Sequence, residues 1–317
     1  MIYVANSEAT PGAETTVRAL VDGASGLDAI EAGIRLVEKD PSIRSVGYNS
    51  WPNLLGDLEL DAAMMDGDTL RTGAVGALRG FLHPVSVARA VMERLPHELL
   101  VGEGAARFAA EIGAEAAVNE TEDCRAAWRR MLEANASPEQ LADWPSGPLA
   151  ELSMRAADPE VGRDTTVFLT HDRAGSIAAG VSTSGWAWKY PGRLGDSPLI
   201  GAGCYADTAF GAAACTGTGE MTIRASTARS VVLYMKTGMT VEEAVMEAVD
   251  DLRRLRGGLL FGVQIHAIDP HGGHKVVYAY QPKMEESLAR RAASARHWFW
   301  REGMAGPELR DSERVRL

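Results

Sequence analysis

The chain has 317 residues, 46% of them apolar and 24% charged, which is typical of a globular enzyme long enough for one large core or two packed halves. Its formal charge of -11 argues against nucleic-acid binding, because phosphates are neutralised by clustered Lys and Arg, which occur here only near the C-terminus. The three cysteines have no zinc-ligand spacing, and the chain shows no signal-peptide pattern and no apolar run of membrane length. These observations predict a cytoplasmic protein that binds no metal or other cofactor and does not associate with a membrane.

The chain up to Asn135 alternates between helical and extended patterns. Apolar residues recur at helical spacing between glycine and proline breaks, and Thr121 is placed to cap the last of these helices. The predicted helices are 14–20, 29–38, 84–94, 103–112 and 121–135, and the predicted strands are 2–5, 58–62 and 99–101, the last of them buried.

A proline-dotted stretch at 136–162 has no clear period and is the predicted linker. It divides the chain into parts 1–164 and 165–317. Because helices and hairpins of the second part come in blocks, the order predicts an α+β fold with antiparallel sheets covered by helices, not a βαβ series. The predicted elements of the second part are strands 167–170 and 176–181, helices 221–236 and 241–256, and strands 261–268 and 275–280.

Thr165 stands at the junction between the linker and the first strand of the second part. A threonine hydroxyl is a poor nucleophile at neutral pH unless a base lies within hydrogen-bond reach. The residue's own α-amine, with a pKa of roughly 7.7–8.0, would be such a base if the chain were cut between Asp164 and Thr165. The plain alternative is that Thr165 is a β-branched residue that opens a strand.

The segment that begins at this junction contains the parts of a small-molecule acyl-transfer site, namely hydroxyls, a guanidinium, a carboxylate and glycines. Each part also has a structural explanation. Thr183 could satisfy local backbone in its Ser-Thr-Ser turn. Arg193 and Asp196 could form a surface ion pair, and Gly217 and Gly219 could make a turn before a helix. Their grouping within one segment favours the functional interpretation.

Short motifs are spread over both parts of the chain. They are Asp164-Thr165, Ser182-Thr183-Ser184-Gly185, Gly192-Arg193-Leu194-Gly195-Asp196-Ser197-Pro198, Gly201-Ala202-Gly203, Tyr205-Ala206-Asp207 and Thr216-Gly217-Thr218-Gly219-Glu220, and, in the first part, Ser45-Val46-Gly47-Tyr48, Leu60-Asp61-Ala62-Ala63-Met64-Met65-Asp66-Gly67, Gly73-Ala74-Val75, Ser86-Val87-Ala88-Arg89 and Leu100-Val101-Gly102-Glu103-Gly104. These motifs resemble those of the threonine-dependent N-terminal-nucleophile hydrolases, the group of glycosylasparaginase and the plant-type asparaginases and β-aspartyl peptidases. The resemblance covers about four fifths of the chain and leaves out the linker and the residues beyond Lys283.

This resemblance implies a four-layer αββα sandwich, made as a single chain that cuts itself before Thr165. Parts 1–164 and 165–317 would be the resulting α and β subunits, which would pair further as a homodimer of α/β heterodimers. The implied reaction is hydrolysis of the β-amide bond of a small asparagine-type substrate, through a β-aspartyl ester on Thr165.

The resemblance also implies roles for individual residues. Thr165 would be the nucleophile and Thr183 would hydrogen-bond it, while the Thr216 hydroxyl and the Gly217 N–H would form the oxyanion hole. A guanidinium suits the substrate α-carboxylate because it can bind both oxygens. The substrate-binding set is Arg193 for the α-carboxylate, Asp196 for the α-ammonium, and Leu194, Gly195, Thr216, Gly217, Thr218 and Gly219 around them.

The chain departs from the family pattern beside the nucleophile and around the leaving group. Arg163 stands where the family often has His, and Val167 where it often has Gly, which leaves the rate of self-cleavage open. The N-terminal tryptophan of glycosylasparaginases has no counterpart here, whereas Trp51, Trp186 and Trp188 are additions. One of these tryptophans is expected to close the leaving-group side of the pocket.

Three alternatives therefore stay open. The leaving group could be ammonia, an amino acid or a glycosylamine, and the first part of the chain favours the glycosylasparaginase branch. The chain could instead be an uncleaved, catalytically silent homologue that binds aspartyl-like ligands. A nicotinamide-dependent oxidoreductase would rest on the G-x-G-x-x-A pattern at 201–206, which lacks surrounding βαβ alternation and is better explained as a turn.

Two further clusters have plain structural explanations. His266, His271 and His274 fall in the second predicted hairpin, where solvated turn histidines are commoner than metal ligands. The aromatic run at 297–301 is predicted to pack on its own domain or on a dimer partner, because exposure of such a run is unfavourable.

Overall fold

The computed structural model describes residues 1–156, 165–285 and 295–317. The strands are β1 (Ile2–Asn6), β2 (Leu60–Asp66), β3 (Thr72–Leu78), β4 (Leu99–Val101), β5 (Thr166–His171), β6 (Ile177–Thr183), β7 (Cys204–Asp207), β8 (Gly211–Gly217), β9 (Gly262–Ile268), β10 (His274–Tyr280), β11 (Arg296–Arg301), β12 (Glu308–Asp311) and β13 (Glu313–Arg316). The helices are α1 (Ala13–Val21), α2 (Gly26–Lys39), α3 (Pro84–Arg94), α4 (Gly102–Glu111), α5 (Glu122–Asn135), α6 (Pro138–Ala142), α7 (Ala150–Ala156), α8 (Gly219–Ala225), α9 (Thr227–Lys236) and α10 (Val241–Arg253).

The larger sheet combines strands from both parts of the chain, in the order β12-β11-β1-β5-β6-β2-β3-β4. β1 is antiparallel to both of its neighbours, with Ile2 opposite Arg301 on β11 and opposite His171 on β5. β6 joins the two parts a second time, because it pairs antiparallel with β5 on one side and with β2 on the other. The predicted parts of the chain therefore share one sheet.

The smaller sheet has the order β13-β10-β9-β8-β7 and comes entirely from the second part. Its central pairs, β8 with β9 and β9 with β10, are antiparallel. Parallel pairing occurs at the sheet edges, between β10 and β13 and between β3 and β4 of the larger sheet. The predicted antiparallel character is confirmed for the remaining described pairs.

Buried apolar side chains form three main cores around these sheets. The outer core packs one face of the larger sheet, for example Phe168, against helical residues such as Ile30 and Val91. The middle core contains side chains of both sheets, for example Leu169 of β5 and Ala212 of β8. A third core packs the smaller sheet against α8, α9 and α10.

Most predicted elements are confirmed within the described residues, including the cap on α5, where the Cys124 N–H donates to Thr121 Oγ1 at 3.2 Å. The predicted linker contains two short helices, α6 at 138–142 and α7 at 150–156, which its lack of a clear period did not predict. These segments fold because a Ser137 capping box starts α6 and Leu152 of α7 packs in an aromatic cluster.

Other differences concern burial and helix breaks. The predicted helix 221–236 is two helices, because Ser226 adopts a left-handed conformation with φ +48° between α8 and α9. The predicted buried strand 99–101 is an edge strand, with Val101 50% exposed. The aromatic run at 297–301 lies in β11 against β1, which confirms that it packs on its own chain. Among the described residues, no helix is long and apolar enough to span a membrane.

Candidate active site

Strand alternation directs Thr165 and Thr183 toward the middle core. Val167 of β5 lies in this core, so Thr165, two residues earlier, points to the same side of the sheet. Val181 of β6 does the same for Thr183. Because Thr166 pairs with Ser182 in antiparallel register, the two threonines lie opposite each other at one end of adjacent strands, and both are buried.

Two further polar side chains point into the same layer. Asp61 on β2 lies directly opposite Thr183, and Ala63 two residues later is part of the middle core. On the smaller sheet, Ala214 belongs to that core, so Thr216 also points toward it. The carboxylate of Asp61 accepts the Ala77 N–H at 2.8 Å through Oδ1, and its buried Oδ2 has no hydrogen-bond partner among the described residues.

Asn6 holds the backbone on both sides of Thr166. Its side-chain Nδ2 donates to the Thr165 carbonyl at 2.5 Å, and its Oδ1 accepts the Val167 N–H at 3.0 Å. Asn6 is itself buried at the end of β1. The start of β5 is therefore fixed by a residue from the beginning of the chain. Asp164, the predicted partner in self-cleavage, lies outside the described residues.

The Thr183 hydroxyl is engaged with backbone on both sides. It accepts the Gly185 N–H at 2.9 Å and lies 3.4 Å from the Ser45 carbonyl, to which the Ser184 N–H also donates at 2.8 Å. The local role that a Ser-Thr-Ser turn allows is therefore present. It does not remove the hydroxyl from the site, because Thr183 still lies beside Thr165 in the sheet.

Arg193 is held by one carboxylate and one ring. Its Nε and Nη2 donate to Glu220 Oε1 at 3.1 and 2.8 Å, and its guanidinium lies 4.7 Å from the ring centre of Trp186. Nη1 faces the turn after Thr183, since a Cβ at Gly185 would lie 3.2 Å from it. The Nη1 edge is thus the part of the guanidinium turned toward the two threonines.

Asp196 lies in a buried polar pocket. Burial raises the pKa of its carboxyl to about 6, although the hydroxyl of Thr222, 2.7 Å from Oδ2, opposes this rise. The other oxygen abuts Gly219, where a Cβ would come within 2.8 Å of Oδ1. Asp196 does not bond Arg193 in the described structure, so the surface ion pair between them is not formed.

Gly217 adopts φ +110°, and a Cβ there would lie 2.5 Å from the Gly262 carbonyl oxygen. The position therefore requires glycine for both its conformation and its contact with β9. Thr216 precedes it with a buried side chain. Thr218 is bound to the neighbouring strand, because both its N–H and its hydroxyl contact the Gly262 carbonyl, at 2.9 and 3.0 Å.

Leu194 and Gly195 occupy different surroundings. The Leu194 side chain packs against β3, where a Cβ at Gly76 would meet its methyl group at 2.8 Å. Gly195 lies against the Arg193 guanidinium, with 3.0 Å between a Cβ position and Nη1. Gly195 therefore gives the guanidinium space, whereas the Leu194 side chain anchors the turn to the larger sheet.

Comparison with known proteins bears on this arrangement. A family model described as Asparaginase matches residues 6–286. The chain belongs to the asparaginase family. The relatives in this family are hydrolases, and the chain is an enzyme of the same class.

Three relatives illustrate the range of the asparaginase family. An N(4)-(Beta-N-acetylglucosaminyl)-L-asparaginase of Elizabethkingia miricola is 37% identical over 251 residues, 78% of this chain and 68% of the relative. An isoaspartyl peptidase of Salmonella typhimurium is 39% identical over 78% of this chain and 77% of its own length. A plant-type L-asparaginase of Pyrococcus furiosus is 34% identical over 90% of this chain and 86% of its own length.

This asparaginase-family chain also has site neighbours that sequence reasoning missed. The buried Lys189 Nζ donates to the Glu59 carbonyl at 3.0 Å, and burial lowers the pKa of Lys189. The Glu59 carboxylate accepts the Gly192 N–H, with both oxygens 3.1 Å away. Gly192 precedes Arg193, so this buried pair braces the turn that carries the guanidinium. Lys189 stands between Trp188 and Tyr190 in the sequence, and this pattern gave no signal that the lysine supports the turn.

The remaining clusters lie elsewhere in the fold. Residues 201–203 form a turn before β7, so the predicted turn is confirmed. The expectation of solvated turn histidines is wrong for His266, which is fully buried in β9, where burial lowers its pKa to about 3. His274 stacks on Phe299 with 4.0 Å between ring centres, and only His271 of the three lies in the exposed turn.

Proposed function

We propose that this protein is a self-processing amidohydrolase that cleaves the β-amide bond of asparagine-type substrates. Cleavage between Asp164 and Thr165 gives Thr165 a free α-amine and divides the chain into subunits 1–164 and 165–317. The substrate is L-asparagine, a β-aspartyl dipeptide or N4-(β-N-acetylglucosaminyl)-L-asparagine, the compounds that the names of the relatives describe.

The observation that carries this proposal is the position of Thr165. It is buried immediately before β5, opposite Thr183, and its carbonyl accepts a hydrogen bond from the Asn6 amide. A nucleophile needs such a fixed position, because small displacements of reacting atoms slow catalysis strongly. A threonine that only opened a strand would not need a buried amide from a distant segment.

The proposed chemistry uses the α-amine of Thr165 as the base. The Thr165 hydroxyl attacks the side-chain carbonyl carbon of the substrate, and its proton passes to the amine. The Thr216 hydroxyl and the Gly217 N–H stabilise the oxyanion, whose collapse breaks the C–N bond while the ammonium returns the proton to the leaving nitrogen. Water then attacks the β-aspartyl ester, the amine transfers a water proton to Thr165 Oγ, and aspartate leaves.

The aspartyl part of the substrate is held by two charges. Arg193 binds the α-carboxylate through its Nη1 edge, and Asp196 binds the α-ammonium when its carboxyl is ionised. Glu220 and Trp186 support this proposal because they leave Arg193 in one orientation. Thr183 bonds the nucleophile, and Gly195, Thr218 and Gly219 shape the pocket, with Leu194 fixing the turn.

The proposal extends to the assembly. Helices pack on the outer face of each sheet, and side chains of both sheets share the middle core, which supports a four-layer αββα sandwich. The mature subunits form α/β heterodimers that pair as a homodimer in the cytoplasm, as the family resemblance implies.

The deciding experiment is intact mass measurement with N-terminal sequencing after incubation of the purified 33.9 kDa chain. We expect two fragments, one of which begins Thr165-Thr166-Val167, and hydrolysis of at least one of the three substrate types. Thr165→Ala should abolish both cleavage and hydrolysis, whereas the neighbouring control Thr166→Ser should retain both. A stable single chain that binds aspartate without hydrolysis would contradict the proposal and support the silent homologue.

A further inference from the structure

Arg44 carries hydrogen-bond donors that nothing in the described structure uses. Its guanidinium carbon lies 4.4 Å from the ring centre of Trp51, which fixes the plane of the group. Its Nε and Nη2 are buried and have no hydrogen-bond partner. No described carboxylate lies within ion-pair distance of Arg44, in contrast with Arg193, which pairs with Glu220.

Buried donors without acceptors are unfavourable, so this arrangement indicates a missing acceptor. Nε and Nη2 form one edge of the planar guanidinium, and that edge matches the two oxygens of a carboxylate. The aromatic face below the group leaves it oriented for such a ligand before the ligand arrives. Arg44 therefore presents an oriented edge with two donors, which suits an anion.

Arg44 is joined to the turn that follows Thr183 through its chain neighbour Ser45. Ser45, the next residue, accepts the Ser184 N–H at 2.8 Å through its carbonyl and lies 3.4 Å from the Thr183 hydroxyl. Arg193 approaches the same turn at Gly185, where a Cβ would lie 3.2 Å from Nη1. The segment that carries Arg44 thus meets the turn beside Thr165 through Ser45, whereas Arg193 meets this turn at Gly185.

An aromatic wall extends from Arg44. Trp51 lies edge-on to Trp188, with 5.5 Å between ring centres, and the main chains meet where the Trp188 N–H donates to the Pro52 carbonyl at 3.0 Å. Trp188 is nearly fully buried and packs with Leu54 in the cluster that includes α7. This wall excludes water from one side of Arg44, which strengthens its attraction for a carboxylate.

We propose that Arg44 binds the carboxylate of the leaving group, so that the preferred substrates are β-aspartyl dipeptides with a free C-terminal carboxylate. This inference rests on the proposed function, in which Arg193 already holds the α-carboxylate of the aspartyl part. Ammonia and a neutral glycosylamine carry no group for Arg44. A leaving amino acid carries one, a short distance from the bond that breaks.

The test compares β-aspartyl-glycine, β-aspartyl-glycinamide and L-asparagine as substrates of the full-length, processed enzyme. We expect kcat/KM for the free acid to exceed that for the amide by about 10- to 100-fold, the range typical of a hydrogen bond to a charged group. Arg44→Met should bring this ratio close to one while hydrolysis of L-asparagine stays within about twofold, since in the proposed function Arg193 and Asp196 hold the aspartyl part.

Arg229→Met is the matched control. Arg229 also lies over an aromatic ring, 4.8 Å from the ring centre of Tyr205, and its buried Nη1 has no partner in the described residues, but it belongs to α9. Its substitution should leave the acid-to-amide ratio unchanged. Arg44→Lys, which keeps the charge without the two-donor edge, should retain part of the preference.

The outcomes separate this inference from the proposed function. A wild-type ratio near one with good hydrolysis of L-asparagine overturns the leaving-group role and leaves the amidohydrolase proposal standing. The same role is overturned if Arg44→Met lowers hydrolysis of all three substrates equally, because Arg44 would then only support the fold. Failure of the processed wild type to hydrolyse any of them overturns both.

Discussion

The side chain of Asn6 is hydrogen-bonded to the backbone of Thr165 and of Val167. Its Nδ2 donates to the Thr165 carbonyl at 2.5 Å, and its Oδ1 accepts the Val167 N–H at 3.0 Å. Asn6 and Thr165 are 159 positions apart in sequence, yet this contact fixes the first peptide of β5. In the proposed mechanism that peptide carries the nucleophile. In that mechanism the orientation of the reacting hydroxyl would depend on Asn6, a residue near the beginning of the chain.

Asn6→Ala should slow both self-cleavage and hydrolysis. Loss of the two hydrogen bonds frees the start of β5, and at about 1 kcal/mol for each bond we expect rates to fall roughly 10- to 100-fold. The cleaved fraction is followed by intact mass, and kcat by release of aspartate from the processed protein. Thr10→Ala is the local control, because its hydroxyl bonds the exposed Ser7 carbonyl. Unchanged rates in Asn6→Ala would show that Asn6 does not position Thr165.

The ionisation of Asp196 should set part of the acid limb of the pH profile. Its pKa is raised to about 6 by burial, and only the charged form pairs with the substrate ammonium. Therefore kcat/KM for L-asparagine should decline as the pH falls through about 6.

Substitution at Thr222 distinguishes Asp196 from the α-amine of Thr165, which also titrates. The Thr222 hydroxyl lowers the pKa of Asp196, so Thr222→Val should move this part of the limb to higher pH. The control is Thr227→Val, because the buried Thr227 hydroxyl has no hydrogen-bond partner within the described part of the chain. A limb that stays in place in Thr222→Val would assign it to a group other than Asp196.

Trp186 should support binding of the aspartyl part, not of the leaving group. Its ring lies under the Arg193 guanidinium. Of the three added tryptophans, Trp51 and Trp188 are therefore the remaining candidates to close the leaving-group side of the pocket. Trp186→Leu should raise KM for L-asparagine about 5- to 30-fold with a smaller effect on kcat, as expected for loss of a cation–π contact of about 1–2 kcal/mol.

Trp298→Leu provides the comparison for Trp186→Leu. Trp298 lies on β11, and its indole N–H donates to the Thr10 hydroxyl at 3.2 Å. Its substitution should therefore leave KM for L-asparagine unchanged. If Trp186→Leu instead changes only the relative rates for different leaving groups, Trp186 lies on the leaving-group side after all.

Lys189 should be needed for stability and for the position of Arg193. Lys189→Met removes the buried ammonium that lies 4.0 Å from Glu59 Oε2 and donates to the Glu59 carbonyl, and breaking a buried ion pair typically costs about 3–5 kcal/mol. We expect a lower Tm and, because Glu59 also holds Gly192, a higher KM for L-asparagine. The double variant Lys189→Met with Glu59→Gln should lose less than the sum of the single changes. A lower Tm with unchanged KM would restrict Lys189 to the fold.

Local chemistry explains which elements the sequence predicted well. The β5–β6 hairpin follows from Gly175, which adopts φ +89°, and α5 follows from its Thr121 cap. β8 was missed because Ala212, Ala213 and Ala214 carry no strand preference. That strand forms because cores on both faces of the smaller sheet bury small side chains.

The residues of the candidate site also differ in whether the sequence alone could identify them. Arg193 and Asp196 were recognisable because they fall within one short motif of the chain. Asn6, Lys189 and Arg44 were not, because their importance depends on contacts with residues far away in sequence or on the absence of any partner. Strand register, which brings Asp61 beside Thr183, also follows from the assembled sheet and not from either segment alone.

The insertion of β1 between β5 and β11 has a consequence for any attempt to rebuild the enzyme from fragments. The first strand of the chain bonds on both edges to strands from the second part, from Ile2 to Asn6 against β11 and from Ile2 to Ala5 against β5. Separately produced halves would have to open an already paired sheet to admit it. Complementation should therefore succeed only when both halves are refolded together, and the cleaved enzyme should melt in a single transition.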